Sequence, residues 1–216
     1  ILMQPNFSTM VILALTAVAM FFAAGASMKQ MVVLLSVGVA TSYVLVRVAS
    51  YRSERLTLFL EGPFSDPSGE GMQLVQALVA LNRGSWFGVG LGRSQQKYTV
   101  YAPHTDGIFA IIAEELGIVG CLVLIALYGV WTWRGLRIAW YARDAYGRIL
   151  ATGLTTWVVF QAAVHIGVMT ASMPFTGTVL PFISYGGSSL SSMLVGAGLL
   201  LSISRDAGSA EKGQAS

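Results

Sequence analysis

The stretch that decides the fold is residues 149–204, ILATGLTTWVVFQAAVHIGVMTASMPFTGTVLPFISYGGSSLSSMLVGAGLLLSIS, which contains no Asp, Glu, Lys or Arg. A membrane-spanning helix needs about 20 apolar residues, so this stretch is too long for one span. Pro181 and the glycine pair at 186–187 interrupt it, because both residue types disfavour a continuous helix. The sequence therefore predicts two spans here, Ile149–Met173 and Ser188–Ser204.

Three more apolar runs precede this stretch. The chain of 216 residues is 55% hydrophobic and only 11% charged, whereas a soluble domain has about 25% charged residues. The additional uncharged runs are Phe7–Met28, Gln30–Val46 and Leu116–Trp133, the last extended towards the N-terminus by residues 107–115. We therefore predict an all-α integral membrane protein, a single membrane domain of residues 1–216 with about five transmembrane helices.

The distribution of arginines predicts the orientation. The short segment Arg134–Arg148 holds four arginines against one aspartate, and short basic loops stay in the cytoplasm. Two spans later, the tail at 205–216 falls on the same side, and the large loop at 50–105 falls on the extracytoplasmic side. Arg52 and Arg55 at the start of that loop argue the other way, but long loops cross the membrane largely regardless of their charge.

The large loop carries signals of local structure. Gly62-Pro63 and Asp66-Pro67 predict turns. The apolar spacing within Met72–Leu81 fits a short helix lying at the membrane interface. The glycine-rich residues that follow, with Trp86 and Phe87, predict a flexible stretch with aromatic anchors.

A polar cluster, His104-Thr105-Asp106, directly precedes the third apolar run. Ionisable groups at a membrane boundary are expensive to place and are by default functional, so Asp106 is the candidate catalytic residue. Glu114 and Glu115 follow within the helix. Adjacent helical residues point about 100° apart, so these two carboxylates cannot share one site as a dyad. One is expected to face the protein interior and the other the headgroups, and helix-end or packing roles suit them as well as catalysis.

The glycine-rich motif at 88–92 only superficially resembles a phosphate-binding loop. It lacks the Gly-Lys-Ser/Thr ending of a P-loop, and for the motif alone a tight re-entrant turn is the favoured explanation. Arg93 and Lys97 follow it, and Arg83 precedes it. Glycine backbone beside cationic side chains is a suitable site for a pyrophosphate. These three residues are therefore candidate substrate ligands. The alternative for each of them is an ordinary solvated charge.

Two single residues bear on metal and disulfide chemistry. Cys121 is the only cysteine, so no disulfide is possible within the chain. His165 lies in the middle of a predicted span, where an interhelical hydrogen bond is its usual role. With only His104 elsewhere, a zinc site is not expected. The net charge of +3 suits a membrane protein near anionic lipid and is no argument for nucleic acid.

The segment Pro181–Ser189 combines a helix breaker, a glycine pair and several hydroxyl groups. Irregular backbone at membrane depth is tolerated where it lines a cavity or is buried in protein. We therefore expect it to pack beside the large loop, with close backbone approach at Gly186 and Gly187. Ser188 and Ser189 are candidate substrate-binding residues. The alternative is a simple exit loop.

Pro181–Ser189 also resembles the Pro-Leu/Phe-Ile-Ser-Tyr-Gly-Gly-Ser-Ser signature of the SEDS (shape, elongation, division and sporulation) family, which includes RodA and FtsW. Residues 88–97 resemble the Gly-Leu-Gly-Asn-Ser-x-Gln-Lys of FtsW-like members, and 104–106 with 114–117 match closely. The chain departs from the family pattern at Gly107, where an aromatic residue is usual, at His165, where asparagine is usual, and within 174–177. The family has ten spans, and this chain resembles the C-terminal five.

The resemblance implies a peptidoglycan glycosyltransferase that polymerises lipid II outside the bacterial cytoplasmic membrane, in division or elongation. Asp106 would take the proton from the acceptor hydroxyl, with His104 and Thr105 contacting substrate and Arg93 and Lys97 stabilising the pyrophosphate. A divalent cation is compatible with this reaction, although no metal motif indicates one. Implied partners are a class B penicillin-binding protein, which is a single-span transpeptidase, and other division or elongation proteins. The alternatives are a lipid II flippase and a non-catalytic scaffold.

Overall fold

The computed structural model describes residues 7–48, 50–65, 70–98 and 104–214, and this part of the chain is helical, with no strand. The helices are α1 (Phe7–Ala23), α2 (Met28–Val48), α3 (Ser50–Glu61), α4 (Glu70–Gly84), α5 (Ile108–Trp140), α6 (Ala145–Met169) and α7 (Gly187–Gln214). Short 3₁₀ turns lie at Pro63–Ser65 and Gln96–Tyr98.

Five of these helices coincide with the predicted spans. Among the described residues, α5, α6 and the part of α7 from Gly187 to Asp206 are long and apolar enough to cross a membrane. Two shorter apolar helical stretches, Ser8–Ala23 and Met28–Thr41, correspond to α1 and α2. The prediction of an all-α integral membrane protein is therefore confirmed.

Small residues allow the central helices to pack closely. A Cβ at Gly135 of α5 would lie 2.1 Å from Thr155 Oγ1 of α6, and a Cβ at Gly153 of α6 would lie 2.7 Å from Met20 Sδ of α1. Such small residues let helix backbones approach each other in membranes, where apolar side chains gain little from leaving lipid. Asp144 caps the N-terminus of α6, and its carboxylate accepts a hydrogen bond from the Gly147 amide at 3.0 Å. The centre of the bundle is thus formed by α1, α5 and α6.

The large loop contributes to the core as well as to the surface. The predicted helix at Met72–Leu81 is present as α4, and its residues Leu74, Ala77 and Ala80 are buried against α5. The turn predicted at Gly62-Pro63 is also present, with φ +94° at Gly62. Helix α3 was not predicted, because its charged sequence has no clear apolar period. The turn predicted at Asp66-Pro67 lies outside the described residues.

Helix α5 is broken at Gly117, where the sequence predicted a continuous apolar helix. Gly117 has φ +68° and ψ −166°, and a Cβ there would lie 2.4 Å from the Gly88 nitrogen. The backbone carbonyls of Glu114 and Glu115 accept hydrogen bonds from the loop amides of Val89 and Gly90, at 2.9 and 3.1 Å. The glycine-rich loop therefore occupies the break in the helix.

The backbone amides that follow the break are also hydrogen-bonded to this loop. The amide of Ile118 donates to the Ser85 carbonyl at 2.9 Å, and the amide of Val119 donates to the Trp86 carbonyl at 3.2 Å. Helical bonds lost at the break are replaced by bonds to the loop, as a low-dielectric surrounding requires. The stretch predicted as flexible is thus hydrogen-bonded into α5, while the side chains of Trp86 and Phe87 are exposed.

The long helix α5 separates the two ends of the bundle. At 1.5 Å per residue its length is about 50 Å, so His104–Asp106 and the basic turn after α5 lie at opposite ends. We expect cysteine at Ser65 to be labelled from outside the cell by an impermeant thiol reagent, and cysteine at Ala145 to be labelled only after permeabilisation. Cys121→Ser provides the background. Outside labelling of Ala145→Cys alone would invert the predicted orientation.

Candidate functional site

Asp106 lies in the turn directly before α5 and is partly buried. Burial raises the pKa of its carboxyl above the ordinary aspartate value, because desolvation disfavours the charged form. A Cβ at Gly177 would lie 3.3 Å from Asp106 Oδ2. The carboxylate therefore lies against Gly177, which belongs to the non-helical segment between α6 and α7. We call residues 171–186 the joining segment.

Hydrogen bonds connect the joining segment to the residues around Asp106. The Ser184 hydroxyl accepts from the Leu180 amide at 2.7 Å and donates to the Thr105 carbonyl at 2.8 Å. The Tyr185 amide donates to the His104 carbonyl at 2.8 Å. The segment thus packs beside the end of the large loop, as the pattern in Pro181–Ser189 predicted.

The close backbone approach expected at Gly186 and Gly187 is absent. A Cβ at Gly186 would lie 3.6 Å from the Ser189 Cβ, which is an ordinary contact, and a Cβ at Gly187 would have no atom within 4 Å. The physical reason is that this pair lies at the exposed start of α7 rather than between packed elements. Ser188, which is exposed, and Ser189, which is partly exposed, occupy the first turn of that helix.

A second polar cluster surrounds Glu114, which is 1% exposed. Its carboxylate accepts from the Ser94 hydroxyl at 2.5 Å and from the amides of Gln96 and Gln95 at 3.2 and 3.4 Å. Arg83 Nη1 lies 3.9 Å from the same carboxylate. A buried charge with this many partners stabilises the loop at 93–97.

Glu115 contacts the same loop from the neighbouring position of α5. Its Oε1 accepts from the Ser94 amide at 3.3 Å, and its side chain is partly exposed. The two carboxylates form no dyad with each other, but both bind Ser94. Glu114 faces the interior, as expected for one of the two, and the placement of Glu115 against the headgroups stays a prediction.

Replacing Glu114 is expected to destabilise the protein far more than replacing Glu115. Glu114→Gln removes the charge opposite Arg83 and turns an acceptor into a donor towards backbone amides, at a cost of about 2 kcal/mol. We expect the midpoint of thermal unfolding in detergent to fall by about 5 °C. Glu115→Gln is the matched control, since it loses one bond at the surface. Equal shifts for the two variants would contradict the assignment of Glu114 as the centre of this cluster.

The three cations predicted to bind a pyrophosphate have different surroundings. Arg83 donates to Gln95 Oε1 at 2.6 Å in addition to its contact with Glu114. Lys97 Nζ donates to the Gly92 carbonyl at 2.6 Å. Arg93 is exposed, and its side chain has no hydrogen bond or ion pair to any described residue, while its backbone amide donates to the Gly90 carbonyl at 3.2 Å. Within the described part of the chain, no hydrogen bond or ion pair joins these cations to Asp106. Because the side chains of Arg83 and Lys97 are already hydrogen-bonded, Arg93 is the cation free to meet a ligand.

Three side chains that hold the joining segment complete the site. His165 Nδ1 donates to the Thr178 carbonyl at 2.5 Å. Gln161 Nε2 donates to the Val179 carbonyl at 3.0 Å. The third is the Tyr128 hydroxyl, which donates to the Pro181 carbonyl at 2.7 Å.

The prediction of an interhelical hydrogen bond for His165 is wrong, because its side chain binds the Thr178 carbonyl, which belongs to the non-helical joining segment. Sequence reasoning missed Gln161 and Tyr128 altogether. The spacing of Gln161 and His165, four residues apart on one face of an apolar helix, was the available signal. Among the described residues, no group of three His, Cys, Asp or Glu side chains is placed to hold a metal ion.

These features define a multi-pass helical membrane protein in which the Asp106 carboxylate, directly before α5, lies against the non-helical joining segment. Residues 1–209 match the model of the FtsW/RodA/SpoVE family of cell cycle proteins. The chain belongs to this family.

Individual relatives agree with the family match. The chain is 44% identical over 206 residues to stage V sporulation protein E of Bacillus subtilis, covering 95% of the chain and 56% of that protein. It is 43% identical to the probable peptidoglycan glycosyltransferase FtsW of Thioalkalivibrio sulfidiphilus, covering 95% of the chain and 52% of the relative. The chain therefore spans about half the length of the curated relatives it matches.

Solved structures show the same fold. A chain from a peptidoglycan synthase complex, studied for the structural coordination of polymerization and crosslinking, superimposes with a TM-score of 0.74 at 29% identity. That match covers 95% of this chain and 57% of the other. An Asp-to-Ala mutant of the rod shape determining protein RodA from Thermus thermophilus gives a TM-score of 0.60 at 26% identity, covering 94% of this chain and 51% of the other.

Proposed function

We propose that this protein is a glycosyltransferase that polymerises lipid II into glycan strands at the outer face of the bacterial cytoplasmic membrane, during division or elongation. The observation that carries the proposal is the Asp106 carboxylate, partly buried before α5 and lying against the joining segment. Relatives named as probable peptidoglycan glycosyltransferases support the same chemistry.

The proposed reaction needs one base. The donor sugar already carries a pyrophosphate leaving group, so the step that needs help is removal of the proton from the acceptor hydroxyl. Asp106 takes this proton while the hydroxyl oxygen attacks the anomeric carbon and the bond to the pyrophosphate breaks. The raised pKa of its carboxyl makes Asp106 a stronger base than an exposed aspartate.

Other residues bind the substrate in this proposal. The Arg93 side chain, which has no hydrogen bond or ion pair to the described residues, meets the pyrophosphate as negative charge develops on it. Lys97 and Arg83 stabilise the conformation of the same loop through their hydrogen bonds to Gly92 and Gln95, and they add positive charge to it. The polar atoms of His104 and Thr105 orient the sugar.

A flippase would use intramembrane ionisable groups to line a polar path across the membrane. The candidates for such a path were Glu114, Glu115 and His165. In the structure these side chains are hydrogen-bonded to the loop at 94–96 and to the joining segment. Their engagement in local structure favours the glycosyltransferase over the flippase.

The proposed partner is a class B penicillin-binding protein, which would crosslink the strands made here. The similarity to a chain from a complex of polymerization and crosslinking supports this partnership. Substrate, partner and membrane are proposed for the complete protein, since the chain spans about half the length of its relatives.

The test is polymerisation in the absence of a membrane. The complete protein, purified in detergent, should convert detergent-solubilised lipid II into glycan strands that are resolved by gel electrophoresis. A flippase has no compartment to cross in this assay and would leave lipid II unchanged. The same result would be obtained for a scaffold, so the absence of polymer from folded protein, with and without the partner transpeptidase, would refute the proposal.

A further inference from the structure

The joining segment has little secondary structure of its own in the region that meets Asp106. The Thr178 amide donates to the Thr176 carbonyl at 3.0 Å, which makes a three-residue turn centred on Gly177. Gly177 at the apex of this turn is the residue against which the Asp106 carboxylate lies. The placement of the carboxylate therefore depends on what holds a single isolated turn.

Side chains of α6 hold the backbone directly after the turn. His165 and Gln161 lie one helical turn apart and bind two successive carbonyls, those of Thr178 and Val179. A carbonyl oxygen only accepts, so His165 Nδ1 must carry the proton. His165 is 1% exposed, which leaves it little freedom to adopt another orientation. Helix α6 thus holds the two residues that follow Gly177 through two side-chain hydrogen bonds.

We infer that His165 is a positioning residue: by holding the Thr178 carbonyl, it keeps the turn at Gly177 in the place that sets the Asp106 carboxylate against the acceptor sugar. This inference rests on the proposed function of Asp106. His165 lies on α6 and acts through backbone, so it needs no contact with substrate. Gln161 assists by holding the next carbonyl.

Further hydrogen bonds hold the C-terminal part of the joining segment. Ser184 and Tyr185 donate to the carbonyls of Thr105 and His104, which are the two successive carbonyls directly before Asp106. The Tyr128 hydroxyl binds the Pro181 carbonyl between these two regions. The segment is therefore held along its length, with the His165 bond as the support nearest to Gly177 in sequence.

The test compares His165→Leu with His165→Asn in the complete protein. Leucine removes the donor at similar size, whereas asparagine Nδ2 stands at the same distance along the side chain as histidine Nδ1 and can donate to the same carbonyl. We expect His165→Leu to lower kcat for lipid II polymerisation about 10- to 100-fold with little change in KM, as expected for a misplaced catalytic group. His165→Asn should retain most of the wild-type kcat.

A measurement independent of catalysis follows the joining segment itself. Hydrogen exchange of the peptide covering 174–186 should become about tenfold faster in His165→Leu and remain near wild type in His165→Asn, since one hydrogen bond is lost only in the first. Gln161→Leu should give a smaller change in the same direction. Thr156→Val is the matched control, because it removes a hydroxyl bonded within α6 and should alter neither exchange nor kcat.

Each alternative outcome has a defined meaning. Unchanged exchange in His165→Leu would show that the segment is held without His165, and faster exchange with unchanged kcat would show that its placement does not govern catalysis. Equal loss in the asparagine and leucine variants would show that the donated hydrogen bond is not the cause. All three results overturn the inference. A wild-type protein that makes no polymer would instead contradict the proposed function, while the exchange data would still decide whether His165 holds the segment.

Discussion

Asp106→Asn is expected to abolish detectable glycan polymerisation. Asparagine keeps the shape and the hydrogen-bonding capacity of the side chain but cannot accept a proton at neutral pH, and a general base contributes about 10²- to 10⁴-fold to a rate. The measurement is the rate of strand formation by the complete protein from detergent-solubilised lipid II. Asp106→Ala should fail equally.

The pH dependence provides an internal check on Asp106. Only the deprotonated carboxylate is a base, so the rate of the wild-type protein should fall as the pH is lowered through the pKa of Asp106. Burial raises this pKa, so the decline should occur at a higher pH than for an exposed aspartate. His104→Ala is the control and should be milder, since His104 is assigned substrate contact only. Near-normal polymerisation by Asp106→Asn would make Asp106 structural and would require another base.

Gly88→Ala is expected to be the most damaging single-methyl addition in the glycine-rich loop. Gly88 has φ +76°, and a Cβ there would lie 2.1 Å from the Glu115 carbonyl oxygen. Making room for it would break the loop's hydrogen bonds to α5 at Val89 and Gly90, at about 1 kcal/mol each. Together with the strain of the left-handed backbone, about 1–2 kcal/mol, this should lower the midpoint of thermal unfolding in detergent by roughly 10 °C.

Gly92→Ala separates steric overlap from backbone strain. Gly92 has the same φ of +76°, but a Cβ there would meet no atom within 4 Å. We therefore expect its unfolding midpoint to fall only by the few degrees that the left-handed backbone costs. Indistinguishable midpoints for the two variants would mean that insertion of the loop into the α5 break contributes nothing to stability.

The glycine-rich loop also shows where sequence reasoning stops. The low charge and the lengths of the apolar runs were enough to predict the five helices, because membrane spans depend on hydropathy summed along the chain. The break at Gly117 was not predictable in this way. Its cause is the loop at 85–90, which is distant in sequence and supplies the hydrogen bonds that the helix loses. A single glycine in an apolar run carries no sign of such a partner.

The residues of the candidate site also differ in how far the sequence could predict their roles. The pattern of His104–Asp106 before an apolar helix was enough to nominate Asp106, since a carboxylate at a membrane boundary is costly and stands out in composition. The roles of Glu114 and His165 depended on which backbone groups reach them. Hydropathy placed both in apolar helices and left packing, transport and catalysis open. The hydrogen bonds to Ser94 and Thr178 support a structural role for both side chains.

The sequence by itself determined that this chain is a helical membrane protein and where its apolar helices lie, and it nominated Asp106 as the candidate carboxylate, because each of these inferences follows from local composition and order. Only the tertiary structure decided that α5 is interrupted, that close approach occurs at Gly88 and Gly117 rather than at Gly186 and Gly187, and that the joining segment lies against Asp106. These features arise from contacts between residues far apart in the chain. They depend on three-dimensional packing and on the requirement that every buried backbone group find a hydrogen-bond partner.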